Sequence, residues 1–298
     1  MSDFTVSGLT AYTAKATELL TKGVLFNEDY QNYSIQQGIQ YKKYLNFLEA
    51  TPTLQAGACG LTAGGTSTFT EKTIETVTYA YRDQFCKDTL DEKALTLPSG
   101  TLDGNFGPLI ESTLNMEEIN KIKQTVDVDK WLGTSGFIDG WFTNVGGNAV
   151  ALDTYGGVTA SLSNIDDIVV DFVNNITDAM WSRGVLTLHM SIAIFNLYKQ
   201  NRLAANYFRD ANSAMGLFEM WVFGYEGQIK IKAEAGLAGS NYMMLTWDKN
   251  LYIGTDQIMD IASAKWFFDE NTDYLRFKSS FKFGTQTAID GEIITNVN

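Results

Sequence analysis

The stretch from Ser163 to Tyr198 constrains the fold more than any other part of the sequence, because its pattern changes from helix to strand and back to helix. Gly184 is placed to end the first helix, residues 186–190 are typical of a buried strand, and Ser191 is placed to cap the second helix. The first helix is predicted from a variant capping box, Ser163-Asn164-Ile165-Asp166, and from apolar residues on one face: Ile165, Ile168, Val169, Phe172, Val173, Ile176 and Met180. The stretch predicts a compact unit that mixes helix and strand.

The first sixty residues predict helical pieces joined by polar linkers. Apolar residues recur at helical spacing over 8–22, where Gly23 is placed as a stop, and again over 35–48, where Pro52 limits further extension. This arrangement is typical of an extended arm more than of a compact domain.

The middle of the chain predicts a long strand or hairpin followed by a helix. Apolar and polar residues alternate over 69–81 in a composition rich in β-formers. The proline- and glycine-containing stretch 95–108 predicts a loop or a domain boundary. A helix is then expected from Leu109, with a solvated face of mixed charge, ending before Gly133.

The last eighty residues predict short strands at 228–232, 243–247, 251–254, 275–283 and 288–294. No period of about 20–50 residues recurs, which excludes solenoids and propellers. With both helices and strands predicted along the chain, the expected fold class is α+β.

The charge of the chain argues against sequence-specific binding of nucleic acid. The formal net charge is −13, and no run of Lys or Arg could neutralise a row of phosphates. No apolar stretch approaches the ~20 residues of a membrane span, and the chain is polar by Thr10, so we expect a cytosolic product that crosses no membrane. Cys59 and Cys86 are too far apart for a CxxC motif and are predicted to act as small apolar residues, with a bridge formed after lysis as the alternative.

Residues that carry chemistry are sparse. His189 is the one histidine, it lies in a predicted buried strand, and no nucleophile elbow lies near it, so we interpret it as a core or interface residue. One His and two separated Cys do not make a zinc site, and neither a P-loop nor a GxGxxG motif is present.

Paired carboxylates leave one catalytic alternative open. They could bind Ca²⁺ or Mg²⁺ or act as a glycosidase pair. Asp166 and Asp167 fall in a first helical turn, where negative charge complements the helix dipole, so a structural role is favoured for them. The pairs are Asp127 with Asp129, Asp166 with Asp167, and Asp269 with Glu270. We predict no catalytic, cofactor-binding or metal-ligating residue.

One segment, Gly236 to Asp256, resembles a stretch of tailed-bacteriophage major capsid proteins of the Hong-Kong-97-type fold. A strand ends in Thr246, a polar turn leads to Asn250-Leu251, and a second strand runs into Gly254-x-Asp256. The order of the predicted elements is also similar to that family: arm, β extension, long helix, mixed unit and sheet.

This resemblance implies five parts. They are an N-terminal arm at 1–60, an E-loop β-hairpin at 61–105, the spine helix of a peripheral domain at 106–134, an axial domain at 135–230, and the peripheral sheet at 231–298. Any scaffold is expected to be a separate protein, because the predicted helix starts close to Met1. Some relatives form Lys–Asn cross-links, but none of Lys72, Lys87 and Lys93 in the proposed E-loop is assigned that role.

The resemblance also implies a function. We expect a structural protein, not an enzyme and without cofactors, that self-assembles as hexamers and pentamers into an icosahedral shell around phage double-stranded DNA. Its expected location is the virion capsid, assembled in the host cytoplasm, with portal, scaffold or decoration proteins as partners. The alternatives are another phage structural protein, such as a decoration or tail component, and a carboxylate-dependent hydrolase that uses Asp127 or Asp269.

Overall fold

The computed structural model describes residues 32–52, 65–86, 108–204, 214–216, 218–256, 263–269, 271–272 and 274–297. Five α-helices lie in these ranges: α1 Pro108–Leu132, α2 Trp141–Val145, α3 Ile165–Asn174, α4 Asp178–Trp181 and α5 Ile192–Ala204. Short 3₁₀ helices occupy Gly146–Asn148, Ala235–Leu237, Asp248–Asn250 and Asp290–Glu292. The helix predicted at 8–22 falls outside the described residues.

Fourteen strands form three sheets in the described part of the chain. They are β1 Ser34–Gln36, β2 Lys42–Pro52, β3 Gly65–Glu75, β4 Val77–Cys86, β5 Val150–Ala151, β6 Leu186–Ser191, β7 Ala214–Gly216, β8 Glu219–Trp221, β9 Ile229–Glu234, β10 Met244–Thr246, β11 Leu251–Gly254, β12 Ser263–Asp269, β13 Tyr274–Thr287 and β14 Ile294–Thr295.

The first sheet is built around β13. This long strand pairs antiparallel with β4, β11 and β12, and β1 adds to β11 in parallel. Alternate β13 side chains are buried, as expected of a sheet with one covered face. They form the first hydrophobic core together with apolar residues of α1: Leu275, Phe277, Phe281 and Phe283 from the strand, Ile119, Ile122 and Val126 from the helix.

The second sheet has the order β5-β14-β10-β6-β9-β8-β7. Its central strand β6 is buried at every position and pairs with β9 in parallel and with β10 antiparallel. Apolar residues of α3 and α5, including Ile168, Phe172 and Phe195, pack with this sheet in a second hydrophobic core. The mixed helix and strand unit predicted from Ser163 to Tyr198 is therefore confirmed. Its helices cover this sheet, and its strand is the middle strand.

The third sheet is an antiparallel ribbon of β2 and β3, which pair from Lys42 opposite Glu75 to Pro52 opposite Gly65. Near the start of this β2–β3 ribbon, Leu45 and Ile74 form a small cluster with Ile39. The β structure predicted for residues 69–81 is confirmed, but the prediction of a helix at 35–48 is wrong. Apolar residues over so short a run fit periods of 3.6 and 2 about equally, and pairing with β3 selects the extended chain.

Three further sequence predictions require correction. The helix expected to run to Met180 ends at Asn174, and a separate turn of helix follows at Asp178–Trp181. The cap of α3 is Asn164, not Ser163; its side chain accepts from Ser161 N at 2.7 Å and makes no capping bond to the helix. Residues 288–294, predicted as a strand, instead hold a 3₁₀ helix before β14.

The long helix and two C-terminal strands follow the sequence pattern closely. Helix α1 begins at Pro108, a favoured first helical position, and ends before Gly133, whose φ of 64° suits a helix stop. Strand β11 has the predicted bounds, and β13 contains the predicted range 275–283. Gly184, whose φ is 99°, follows the short helix α4 and not the helix that it was predicted to end.

Candidate functional site

Asp127 and Asp129, two residues apart on the long helix, do not form a catalytic pair. Asp129 is buried and accepts hydrogen bonds from Tyr79 Oη at 2.9 Å and from the backbone N–H of Ser135 at 2.9 Å. Asp127 forms an ion pair with Lys130 at 3.0 Å. Asp129 therefore holds α1 to its surroundings, and Asp127 forms an ion pair within the helix.

Asp166 and Asp167 lie in the first turn of α3, as predicted. Asp166 pairs with Arg202 of α5 at 3.1 Å, and burial raises the pKa of this carboxyl group although the Arg202 charge opposes the rise. Asp167 accepts from Tyr155 Oη at 3.4 Å. The two side chains thus connect α3 to separate neighbours.

The third predicted pair is described in part. Asp269 ends β12 and forms an ion pair with Arg276 of β13 at 3.0 Å, and Glu270 lies outside the described residues. Cys86 has a free, half-buried thiol at the end of β4, while Cys59 also lies outside the described part. Over the described ranges, no group of three or more His, Cys, Asp and Glu side chains is arranged to hold a metal ion.

The most concentrated group of charges is buried where the two hydrophobic cores meet. His189 on β6 has no exposed surface, and its ring packs at 4.9 Å, centroid to centroid, against Trp131 at the end of α1. We call this group the junction cluster; it comprises Tyr33, Lys130, His189, Lys230, Lys232, Glu234 and Asp248.

His189 lies between two carboxylates. Its Nδ1 is 3.1 Å from Glu234 Oε1, and its Nε2 is 3.5 Å from Asp248 Oδ1. The first distance is that of a hydrogen bond, and the second is a longer polar contact. Glu234 also accepts from Tyr33 Oη at 3.1 Å, which links β9 to the segment before β1.

Lysines balance the two carboxylates. Lys232 Nζ lies 3.3 Å from Glu234 Oε1, and Lys130 Nζ lies 3.9 Å from Glu234 Oε2. Both ammonium groups also lie over the ring of Tyr33, at 5.7 and 5.8 Å from its centroid. The buried ring of Tyr33 therefore attracts both ammonium groups through cation–π interactions.

The pKa values of both carboxylates reflect this environment. Burial opposes ionisation of Glu234, but the hydrogen bond with His189 and the charges of Lys130 and Lys232 outweigh it and hold the pKa well below its usual range. Burial likewise opposes ionisation of Asp248, and His189 and Lys230 lower its pKa in the same way. Both groups are ionised at neutral pH.

The chemistry of the junction cluster is structural. Its charges come from α1, β6, β9 and the turn after β10, so it joins the first core to the second through ion pairs. Because His189 is completely enclosed, a substrate could reach its ring only if the two cores separated. The sequence prediction of a core histidine is confirmed, but its two carboxylate partners were not predicted.

The surface near the β2–β3 ribbon presents aromatic side chains. Tyr41 and Tyr44 are 70% and 58% exposed, and Lys42 pairs with Glu75 at 2.8 Å beside them. Exposed tyrosines are frequent in protein–protein contacts, because they offer a large and stiff contact area. None of the helices in the described ranges is both long enough and apolar enough to span a membrane.

Comparison with known proteins identifies the fold. A chain in the capsid of a native GTA particle matches with a TM-score of 0.57 and 14% identity, covering 95% of this chain and 89% of that chain. A chain of Gordonia phage Cozz matches with a TM-score of 0.58 and 13% identity, over 90% and 85%. A chain of the satellite phage P4 procapsid including size determination (Sid) protein gives 0.54 and 10%, over 96% and 99%.

The chain has the phage capsid fold. The match covers nearly the whole chain in each case, so both hydrophobic cores and the junction between them belong to this fold. The predicted α+β class and the predicted capsid fold are confirmed. No protein-family model matches the sequence, and no curated protein sequence matches it either.

Proposed function

We propose that this protein is a major capsid protein that self-assembles as hexamers and pentamers into an icosahedral shell around phage double-stranded DNA. The observation that carries the proposal is the phage capsid fold over 95% of the chain. In this role the protein is not an enzyme and needs no cofactor. The structural engagement of the candidate carboxylates, such as the Asp129 bond to Tyr79, supports the same view.

The five parts implied by the resemblance to capsid proteins are proposed as the domain organisation of the chain. Residues 1–60 form the arm, 61–105 the E-loop, 106–134 the spine helix, 135–230 the axial domain and 231–298 the peripheral sheet. We propose that the E-loop also includes β2, because β3 is paired along its whole length with that strand.

The β2–β3 ribbon is suited to reach a neighbouring subunit. Eleven residues of strand span about 37 Å at ~3.4 Å per residue. The buried residues Leu45 and Ile74 both belong to the first four residue pairs of the ribbon, counted from the pair Lys42–Glu75. The outer part of the ribbon is therefore proposed to lie across an adjacent subunit, where main-chain and side-chain contacts hold it.

Shell assembly would then depend on several moderate contacts per subunit. Each contact raises the effective concentration of the next one, so that no single interface has to be tight. Portal, scaffold or decoration proteins are the proposed partners, and the proposed location is the virion capsid after assembly in the host cytoplasm. The similar P4 procapsid contains a size determination protein, which supports assembly partners of this kind.

Shortening the ribbon tests the proposal. Replacing residues 49–68 by Asn-Gly joins the paired residues Leu48 and Phe69 through a two-residue turn and leaves the Leu45–Ile74 cluster in place. We expect unchanged circular dichroism and thermal unfolding but no closed shells in electron micrographs. The control Thr70→Ala alters an exposed ribbon position without shortening it and should still assemble. Shells of normal size from the shortened variant would contradict the proposed role of the ribbon.

A further inference from the structure

The outer face of the first sheet carries a concentration of positive charge on a chain whose net charge is −13. Along β13, buried residues face α1 and the intervening residues face outward. Directly opposite residues of an antiparallel pair lie on the same face, and Lys278 is opposite Arg82 of β4. We call this surface the basic face; its residues are Arg82, Arg276, Lys278 and Lys282.

Two of these four cations are already paired. Arg276 binds Asp269 at 3.0 Å, and Lys282 binds Asp256 at 3.2 Å. Arg82 and Lys278 are exposed, and no described carboxylate lies within 4.0 Å of either of them. The nearby Asp83 belongs to the opposite face of β4, where it lies 3.7 Å from Lys121 of α1.

The strand register places like charges side by side. Lys278 of β13 is directly opposite Arg82 of β4. Like charges directly opposite each other destabilise a sheet, so this pair is unfavourable in the isolated chain. An anionic surface laid across the pair would relieve that repulsion and gain attraction.

We infer that the basic face docks an acidic surface of a second copy of this chain. This inference rests on the proposed assembly of the protein and assigns one of its contacts. Every neighbouring copy has a net charge of −13, so the surface that it presents is on average negatively charged. This charge complements the positive charge of the basic face. Arg82 and Lys278, which have no carboxylate partner among the described residues, provide the specific contact points.

Double-stranded DNA is a less suitable occupant of the same face. Binding to phosphates gains strength with the number of counterions released, and DNA-binding proteins typically make about 6–10 phosphate contacts. The basic face offers two unpaired cations in the described part of the chain, on a protein whose overall charge repels a polyanion. A protein partner needs only a few such pairs beside other contacts.

Charge reversal tests the inference. We would purify the full chain with Lys278→Glu or Arg82→Glu, remove nucleic acid with nuclease, and measure the shell fraction by sedimentation and electron microscopy. The matched control is Lys199→Glu, which changes the net charge equally at an exposed position of α5. We expect each basic-face variant to lower the shell fraction at least about tenfold, because it places like charges in the contact, and the control to assemble normally.

Three results would overturn the inference. The first is normal shells from both basic-face variants, and the second is an equal loss in Lys199→Glu, which would make net charge the cause. The third is normal empty shells combined with weaker retention of DNA, which would assign the face to nucleic acid. If the unchanged protein and Lys199→Glu form no shells, either alone or with the neighbouring phage genes, the proposed function fails instead. In that case the inference is tested by self-association, which should weaken with added salt if the basic face takes part in it.

Discussion

The Nδ1 atom of His189 lies 3.1 Å from Oε1 of Glu234, and both side chains are buried where the two hydrophobic cores meet. The same carboxylate accepts from Tyr33 and faces two lysines, so it is the common partner of four groups from different segments. Such a residue should matter for the cohesion of the fold more than an ordinary surface carboxylate does.

Removing the Glu234 carboxylate should strongly destabilise the protein. Glu234→Ala leaves Lys130 and Lys232 buried without their shared counter-charge, and breaking a buried pair in this way typically costs about 3–5 kcal/mol. Urea unfolding followed by tryptophan fluorescence measures the loss. Glu117→Ala on the exposed side of α1 is the control and should change the free energy of unfolding by less than ~0.5 kcal/mol. Equal effects of the two variants would contradict the role assigned to Glu234.

Acid should weaken the fold through Glu234 and Asp248. Their ordinary pKa values are 4.5 and 3.8, and both pKa values are lowered in the folded protein. A carboxyl group with a lowered pKa stabilises the fold fully above its unfolded pKa, and this stabilisation is lost as the pH falls toward the folded pKa. We expect the free energy of unfolding to decline from about pH 5 downward.

The double variant Glu234→Gln/Asp248→Asn separates this effect from general acid unfolding. The variant should have a lower free energy of unfolding at pH 7. Between pH 5 and pH 3 its free energy of unfolding should fall by less than that of the unchanged protein, and the difference should equal about the contribution of the two carboxylates. Chemical unfolding at a series of pH values measures both quantities. Parallel pH profiles for the variant and the unchanged protein would show that these carboxylates are not responsible.

A close backbone contact predicts a second destabilising change. Gly236, in the 3₁₀ turn after β9, has no room for a side chain, because an added Cβ would overlap the carbonyl oxygen of Asp127 in α1. Gly236→Ala should therefore cost about 1–3 kcal/mol, the usual range for an overpacked site. Gly291→Ala, where an added Cβ meets no neighbour within 4 Å, is the matched control. Thermal unfolding compares them, and an unchanged midpoint for Gly236→Ala would contradict the contact.

Helices and strands whose start and end are both marked by nearby residues could be predicted from the sequence. Helix α1 has a proline at its start and Gly133 after its end. Strand β6 lies between Gly184, which has a positive φ, and the cap residue Ser191. In the structure Ser191 Oγ accepts from Ile194 N at 3.4 Å, as the cap prediction requires. These signals lie within a few residues of the element that they define.

Elements that depend on distant partners could not be predicted in this way. Strand β2 is extended because it pairs with β3, and the sequence between residues 42 and 52 contains no signal that identifies β3 as its partner. The junction cluster was missed for the same reason, since Tyr33, Lys130, His189 and Glu234 are separated by tens of residues. The single usable signal was a histidine in a buried strand, which indicated burial but not its ion pairs.

Electron microscopy of the protein expressed alone and together with its neighbouring phage genes tests the central claim most directly. The account predicts closed shells of uniform diameter, built from hexamers and pentamers, in at least one of the two preparations. Tubes or small attached trimers would favour a tail or decoration component. Small monodisperse particles in both preparations would contradict the proposal that this chain forms a capsid shell.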